Sequence, residues 1–432
     1  MADKVDYAPM WQELGLNLEA HEGLLEVLGT FYNDIYLSQA DRPKGMEYFD
    51  FVISEIHGLR VKELQDAKKE GRPIVGTFCL YVPEELVLAV DGVCIGLCAG
   101  ADVGTEEAEK LLPRNTCALI KSFFGFTMSG LCPYVASADL VIGETTCDGK
   151  TKAYELFGEL KPTFVIEVPH MKTPVGRALW RSELARLVEK LEELAGRKIT
   201  TERLAAAIET VNAKRAALHR LNALRAATPA PISGRDALLI NQISFYDDPV
   251  RFTASVNALC DELDERVAAG SGVGAADAPR VLVSGCPMAI PNWKVPFVIE
   301  KNGAVIVGEE SCVGERGTRN LVAEGGRDID GMVDNIAARY FDIDCACFTP
   351  NDDRLEHIVE MARGYNADGV IHYALQFCSP YTIEARKVES ALKDAGVPLL
   401  KLETDYSMED MAQLETRVQA FLEVLAHAGA AK

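Results

Sequence analysis

Apolar positions recur at helical spacing up to about residue 70. GLLEVLGTFYNDIYL and MEYFDFVISEIHGLRVKELQDAKKEG each set an apolar stripe against a charged face. Gly71-Arg72-Pro73 breaks that rhythm. Short apolar runs then alternate with amphipathic stretches: PIVGTF, PEELVLAV, GVCIGL, CALIKSFFGFTM, ADLVIGE, AYELFGEL and PTFVIEV. Strand–helix alternation of this kind predicts a mainly parallel sheet with helices on both faces. Residues 174 to about 228 read as helix almost throughout, with Gly196 as a C-cap and Thr200 or Thr201 as the next N-cap. FTASVNALCDELDERV is a further helix, and AAGSGVGAADAPR is the clearest linker. A second alternating block follows, from RVLVSG through AVIVGEE and DGVIHYALQF to PLLKLE and a closing helix. The predicted fold class is α/β. It has two flavodoxin/Rossmann-like domains with parallel sheets, a helical N-terminal segment and a helical connection. The expected boundaries are 1–70 (helical segment), 71–173 (first α/β domain), 174–274 (helical connection) and 275–432 (second α/β domain).

Composition narrows the function. With 65 acidic against 44 basic residues in 432, the formal charge is -21. No basic cluster offers a nucleic-acid footprint, which requires cations that displace phosphate counterions. The first thirty residues lack the basic and apolar regions of a signal peptide. The apolar stretch from Leu86 to Val103 is interrupted by Asp91, Gly92, Gly96, Gly100 and Asp102, so it reads as helix, turn and strand rather than a membrane span. A soluble, cytoplasmic protein is expected.

In that setting twelve cysteines are informative, because a reducing compartment disfavours disulfides. Each could simply be a small buried hydrophobe. Their positions argue otherwise for several. PIVGTF runs into Cys79, ADLVIGETT into Cys147, RVLVSG into Cys286, AVIVGEES into Cys312 and GVIHYALQF into Cys378. Ligands of open α/β sheets bind outside the carboxyl ends of strands. Zinc knuckles usually pair cysteines closely, and only Cys94 and Cys98 approach that spacing. Scattered thiolates converging from two domains suit an iron–sulfur cluster in a cleft. The stretch from Val141 to Thr151 imitates a P-loop but has five residues between its glycines where four are required.

These residues carry a resemblance. Gly76-Thr77-Phe78-Cys79-Leu80-Tyr81-Val82-Pro83-Glu84-Glu85-Leu86 resembles the opening motif of the 2-hydroxyacyl-CoA dehydratase family. Cys117 before a helix, Glu144-Thr145-Thr146-Cys147-Asp148, Gly308-Glu309-Glu310-Ser311-Cys312, and Asp368 through Cys378 are similar to its later signatures. The resemblance implies an iron–sulfur cluster. In ordinary dehydratases this is a [4Fe–4S] cluster on three cysteines, here Cys117, Cys147 and Cys378. The surplus of cysteines looks like the double-cubane branch, whose [8Fe–9S]-type cluster uses six. On that pattern Cys79 and Cys132 are the next ligands and Cys347 the sixth, with Cys312 and Cys345 its rivals. Cys94, Cys98, Cys260 and Cys286 are left as packing. The family further implies a homodimer served by a separate homodimeric ATP-hydrolysing [4Fe–4S] reductase, or activator, that injects electrons at very low potential for a small-molecule substrate. Two alternatives are a 2-hydroxyacyl-CoA dehydratase subunit working through a ketyl radical, and a non-enzymatic thiol or metal redox module.

Around that centre His372 and Glu84 are the candidate catalytic residues. His372 lies on the strand leading to Cys378 and has a side chain that titrates near neutrality. Glu84 follows Cys79 and could relay protons. Glu85 is expected to support the helix start, His170 to end a strand, and Lys150 to be exposed.

Overall fold

The computed structural model describes residues 5–275 and 277–430. Two four-stranded sheets organise it, both wholly parallel. The first contains β1 (Ile74–Thr77), β2 (Val93–Gly96), β3 (Leu140–Glu144) and β4 (Thr163–Ile166), in the order β2-β1-β3-β4. The second contains β5 (Arg280–Gly285), β6 (Val305–Glu310), β7 (Gly369–Leu375) and β8 (Leu399–Thr404), in the order β6-β5-β7-β8. The two sheets therefore repeat one topology. The chain is α/β with two Rossmann-like halves, as the alternation of patterns predicts.

Burial explains the apolar runs. Strands β1, β3, β5, β6 and β7 are buried at every residue, whereas β4 and β8 at one edge of each sheet are partly exposed. Strands covered by helices on both faces need continuous apolar sequence; an edge does not. The stretch from Leu86 resolves into a helix (Glu84–Ala89), a turn with Asp91 at φ 63°, and β2. Among the described residues no helix is long and apolar enough to cross a membrane.

Helices Ala8–Glu13, Leu18–Tyr32, Met46–Ser54 and Leu59–Lys69 precede the first sheet. Between the sheets in the chain come the long helices Pro174–Ala195 and Thr201–Leu224, followed by Gly234–Ile243 and Pro249–Ala268. Thr173 caps the first by accepting from the Gly176 amide, and Gly196 ends it in the left-handed conformation at φ 62°. Thr200 caps the second by accepting from the Arg203 amide.

The second long helix fastens the halves together. Its Arg215 donates to Glu85 of the first half at 2.7 Å and to the Tyr340 hydroxyl of the second at 2.8 Å. Just beyond its end, the fully buried Arg225 meets both oxygens of Glu309 at 2.6 Å. Trp180, also fully buried, donates from its indole to the Ala337 carbonyl across the same seam at 3.1 Å. Arg215 and Arg225 thus pair their buried charges across the seam and hold one arrangement of the halves, with Arg225 Nε left without a hydrogen-bond partner.

Candidate functional site

Strand order reverses between β1 and β3 in one sheet and between β5 and β7 in the other. Loops leaving the carboxyl ends on either side of such a reversal diverge, and the crevice between them takes ligands. Here both crevices open onto one cavity of 120 Å³. Cys79 and Cys98 reach it from the loops after β1 and β2, Cys147 from the loop after β3, and Cys117 from the start of the helix Ala118–Met128. Cys286, Cys312 and Cys378 reach it from beyond β5, β6 and β7, with Cys345 and Cys347 from the loop after the helix Ile329–Phe341. Nine of the twelve cysteines thus line one space, and all twelve are free thiols.

The thiols sort into two groups. Cys117 interacts with Cys378 and Cys378 with Cys286, and Cys147 feels the charge of Cys117. On the other side Cys345 and Cys347 interact with each other, while Cys79 feels both Cys312 and Cys345. The Cys347 thiol and then the Arg316 guanidinium hold Cys345 down at about 6 against the cost of burial. Desolvation by burial pushes Cys79, Cys147 and Cys312 up. Among the described residues no group of three or more His, Cys, Asp or Glu side chains is placed for a single metal ion. The sulfurs surround a space instead of converging on a point.

Two cations face the thiols. Lys150, which the sequence suggests is exposed, is 7% exposed and lines the cavity. Its ammonium pairs with the fully buried Glu144, which in turn accepts from the Tyr154 hydroxyl at 3.1 Å. Burial works against the Lys150 charge, and Glu144 more than offsets it, so the lysine stays protonated. Arg316 donates to the Cys312 sulfur at 3.4 Å and to Glu310 at 2.5 Å. Although burial opposes it, Arg316 together with Arg354 holds Glu310 down at about 2. Backbone amides add N–H···S contacts, Lys150 to Cys147 at 3.5 Å being one. Sequence reasoning missed Glu144, Glu310 and Arg316. The signal available was a carboxylate closing an otherwise apolar strand, at Glu144 and again at Glu310.

Of the six cysteines singled out as ligands, Cys79, Cys117, Cys147, Cys347 and Cys378 line the cavity together. Cys132 does not. It caps the helix Pro133–Ser137, accepting from the Val135 amide at 3.4 Å, and lines a neighbouring 60 Å³ cavity. Cys98 and Cys286, read as packing, do line the thiol cavity, but both are engaged by backbone: Cys98 donates to the Phe78 carbonyl at 3.0 Å and Cys286 accepts from the Leu375 amide at 3.3 Å. Cys94 and Cys260 lie apart from it.

His372 stands on β7, 1% exposed, with Nε2 3.2 Å from the Tyr381 carbonyl and Nδ1 3.4 Å from the Ser284 hydroxyl. Burial, then Arg354, pushes it down to about 4, so it is neutral at ordinary pH. It backs Tyr381, which lines the cavity. Glu84 pairs with Lys214 beside two further cavities. Glu85 is fully buried on Arg215 and Tyr340. His170 is exposed and contacts the Thr145 carbonyl.

Comparison with known proteins places the chain. The family model described as 2-hydroxyglutaryl-CoA dehydratase, D-component, matches residues 79–425. The putative dehydratase subunit YjiM of Escherichia coli (strain K12) is 40% identical over 86% of this chain and 97% of its own length. The (R)-phenyllactyl-CoA dehydratase beta subunit of Clostridium sporogenes is 26% identical over 84% of this chain and 94% of its own. A benzoyl-CoA reductase subunit of Thauera aromatica is 24% identical over 81% and 90%.

Proposed function

Because the chain belongs to the 2-hydroxyglutaryl-CoA dehydratase family, we propose that it is an iron–sulfur reductase of the double-cubane type. An [8Fe–9S]-type cluster held there would supply very-low-potential electrons for small-molecule substrates. The electrons come from a separate ATP-hydrolysing [4Fe–4S] reductase that docks on a homodimer in the cytoplasm. The observation that carries this reading is the sorting of thiols from both sheets into two groups around one cavity. Soft thiolate donors suit iron and sulfide. Cys117, Cys147 and Cys378 would hold one cubane. Cys79 and Cys347 would hold the other, completed by Cys312 or Cys345, since Cys132 lines a different space.

When bound, such a cluster supplies single electrons at potentials that reach down to roughly -700 mV. The chain's own residues set its surroundings. Lys150 and Arg316 offset the negative charge that several thiolates bring into a buried site. Amide and guanidinium N–H groups donate to sulfur, an interaction that tunes cluster potential. Phe78, Leu119, Ile120 and Ile290 make the rest of the wall apolar and limit water. Glu84 serves as a proton relay, and His372 positions Tyr381.

A dehydratase subunit with one [4Fe–4S] cluster is the second reading, favoured by relatives named as dehydratase beta subunits. Iron and acid-labile sulfide analysis of anaerobically purified chain separates the two. About eight irons per chain is the expected result; about four assigns the single cluster, and none removes both.

A further inference from the structure

Beside the thiol cavity lies a chamber of 80 Å³, and beyond that an outer vestibule of 550 Å³. The three spaces share walls in sequence. Glu84 and Cys94 line both vestibule and chamber, while Thr77, Cys79, Gly96 and Cys312 line both chamber and thiol cavity. We propose that they form a polar passage for water and protons into the thiol cavity, with the Lys214–Glu84 ion pair as its gate. The purpose of the passage rests on the reductase reading; its existence does not.

The chemistry of the walls supports water as the occupant. Four arginines and four carboxylates line the vestibule, so their charges cancel and favour neither anions nor cations. Lys214, Arg215, Asn241, Ser244 and Thr318 make the chamber polar. It has room for several waters, each needing roughly 10–15 Å³ of such space. The cavity on the Cys132 side is different, walled by Leu24, Leu28, Phe126 and Ile290. Lys214 lines the chamber, bonded to Glu84, which borders both chamber and vestibule, and directed to the Ser244 carbonyl at 3.4 Å. Both partners are mostly buried, with 11% and 18% of their side chains exposed. A reduction that adds hydrogen to its substrate consumes one proton per electron, and a dehydration releases water. Both require a polar way through a wall that is otherwise apolar.

The test reads access, not turnover. Thr318→Cys puts a thiol in the chamber of the full-length, cluster-loaded chain. Anaerobic labelling with neutral 2-hydroxyethyl methanethiosulfonate is followed by peptide mass mapping, with the core thiol Cys260 as the buried reference. Adding Lys214→Met is expected to raise labelling at position 318 by about twofold to fivefold, the factor that breaking an ion pair of up to about 1 kcal/mol represents. Lys214→Met/Glu84→Gln gives the same opening without an unpaired carboxylate and serves if the first variant folds poorly. Labelling no faster than Cys260 in every background overturns the passage. Equal labelling with and without Lys214 overturns the gate. Iron content decides the reductase reading separately, so the two can fail independently.

Discussion

At the scale of single residues, environment sets what each titratable group can do. His21 and His57 stack with ring centroids 4.9 Å apart, and His21 also meets Trp11 edge-on at 4.7 Å. Burial, then His21, pushes His57 down to about 3; His21, His219 and His372 are also lowered, each first by burial. In the unfolded chain a histidine takes its proton near pH 6.5. Below about pH 6.5 the unfolded state therefore binds more protons, and stability falls as pH drops. For His57 the loss ends near 3, where the folded form protonates too. His57→Phe keeps the stack and removes the titration. Its acid limb should be shallower by about 1.4 kcal/mol per pH unit between about pH 6 and pH 4, as read from urea unfolding at each pH. The burial of Lys150 likewise depends on its surroundings. Its immediate sequence neighbours give no hint of it, because the partner that stabilises the buried charge, Glu144, sits six residues back across a strand–helix turn.

At the scale of elements, the strand ends matter most. Gly285 closes β5 at φ 126°, and an added Cβ would lie 1.9 Å from the Tyr373 carbonyl oxygen on β7. Gly285→Ala has to push β5 and β7 apart at the point where Cys286 enters the cavity. We expect a loss of about 2–4 kcal/mol in urea unfolding. Arg225, beyond the second long helix, holds the helical connection to β6 through Glu309. Arg225→Met strands a buried carboxylate and should cost about 3–5 kcal/mol, with Arg225→Met/Glu309→Gln recovering part of it, again by urea unfolding. The strands themselves were legible in the sequence because double-sided burial writes itself as an unbroken apolar run, as in ADLVIGE and RVLVSG. Their order within each sheet was not, since any parallel order buries the same residues.

At the scale of the whole molecule, the site is a product of two sheets facing one space. Strand-end cysteines such as Cys79 and Cys378 were legible because a carboxyl end is a place the pattern itself marks. Cys132 shows the limit. It lies between Cys117 and Cys147 in the chain, yet the helix Ala118–Met128 carries the backbone past the cavity, and its thiol faces the next one. Replacing it should therefore leave bound iron unchanged, whereas Cys147→Ala should lose at least about half. Both are measured as iron and sulfide per chain after anaerobic purification. Equal losses would place Cys132 among the ligands.

Cys79 and Cys378 border the same cavity and stand 299 positions apart. A ribosome that has just released the first has most of the protein still to make, and the far wall does not yet exist. Whatever finally occupies that space must arrive after the whole of β7 has emerged, so loading is an event of late maturation and not of early synthesis.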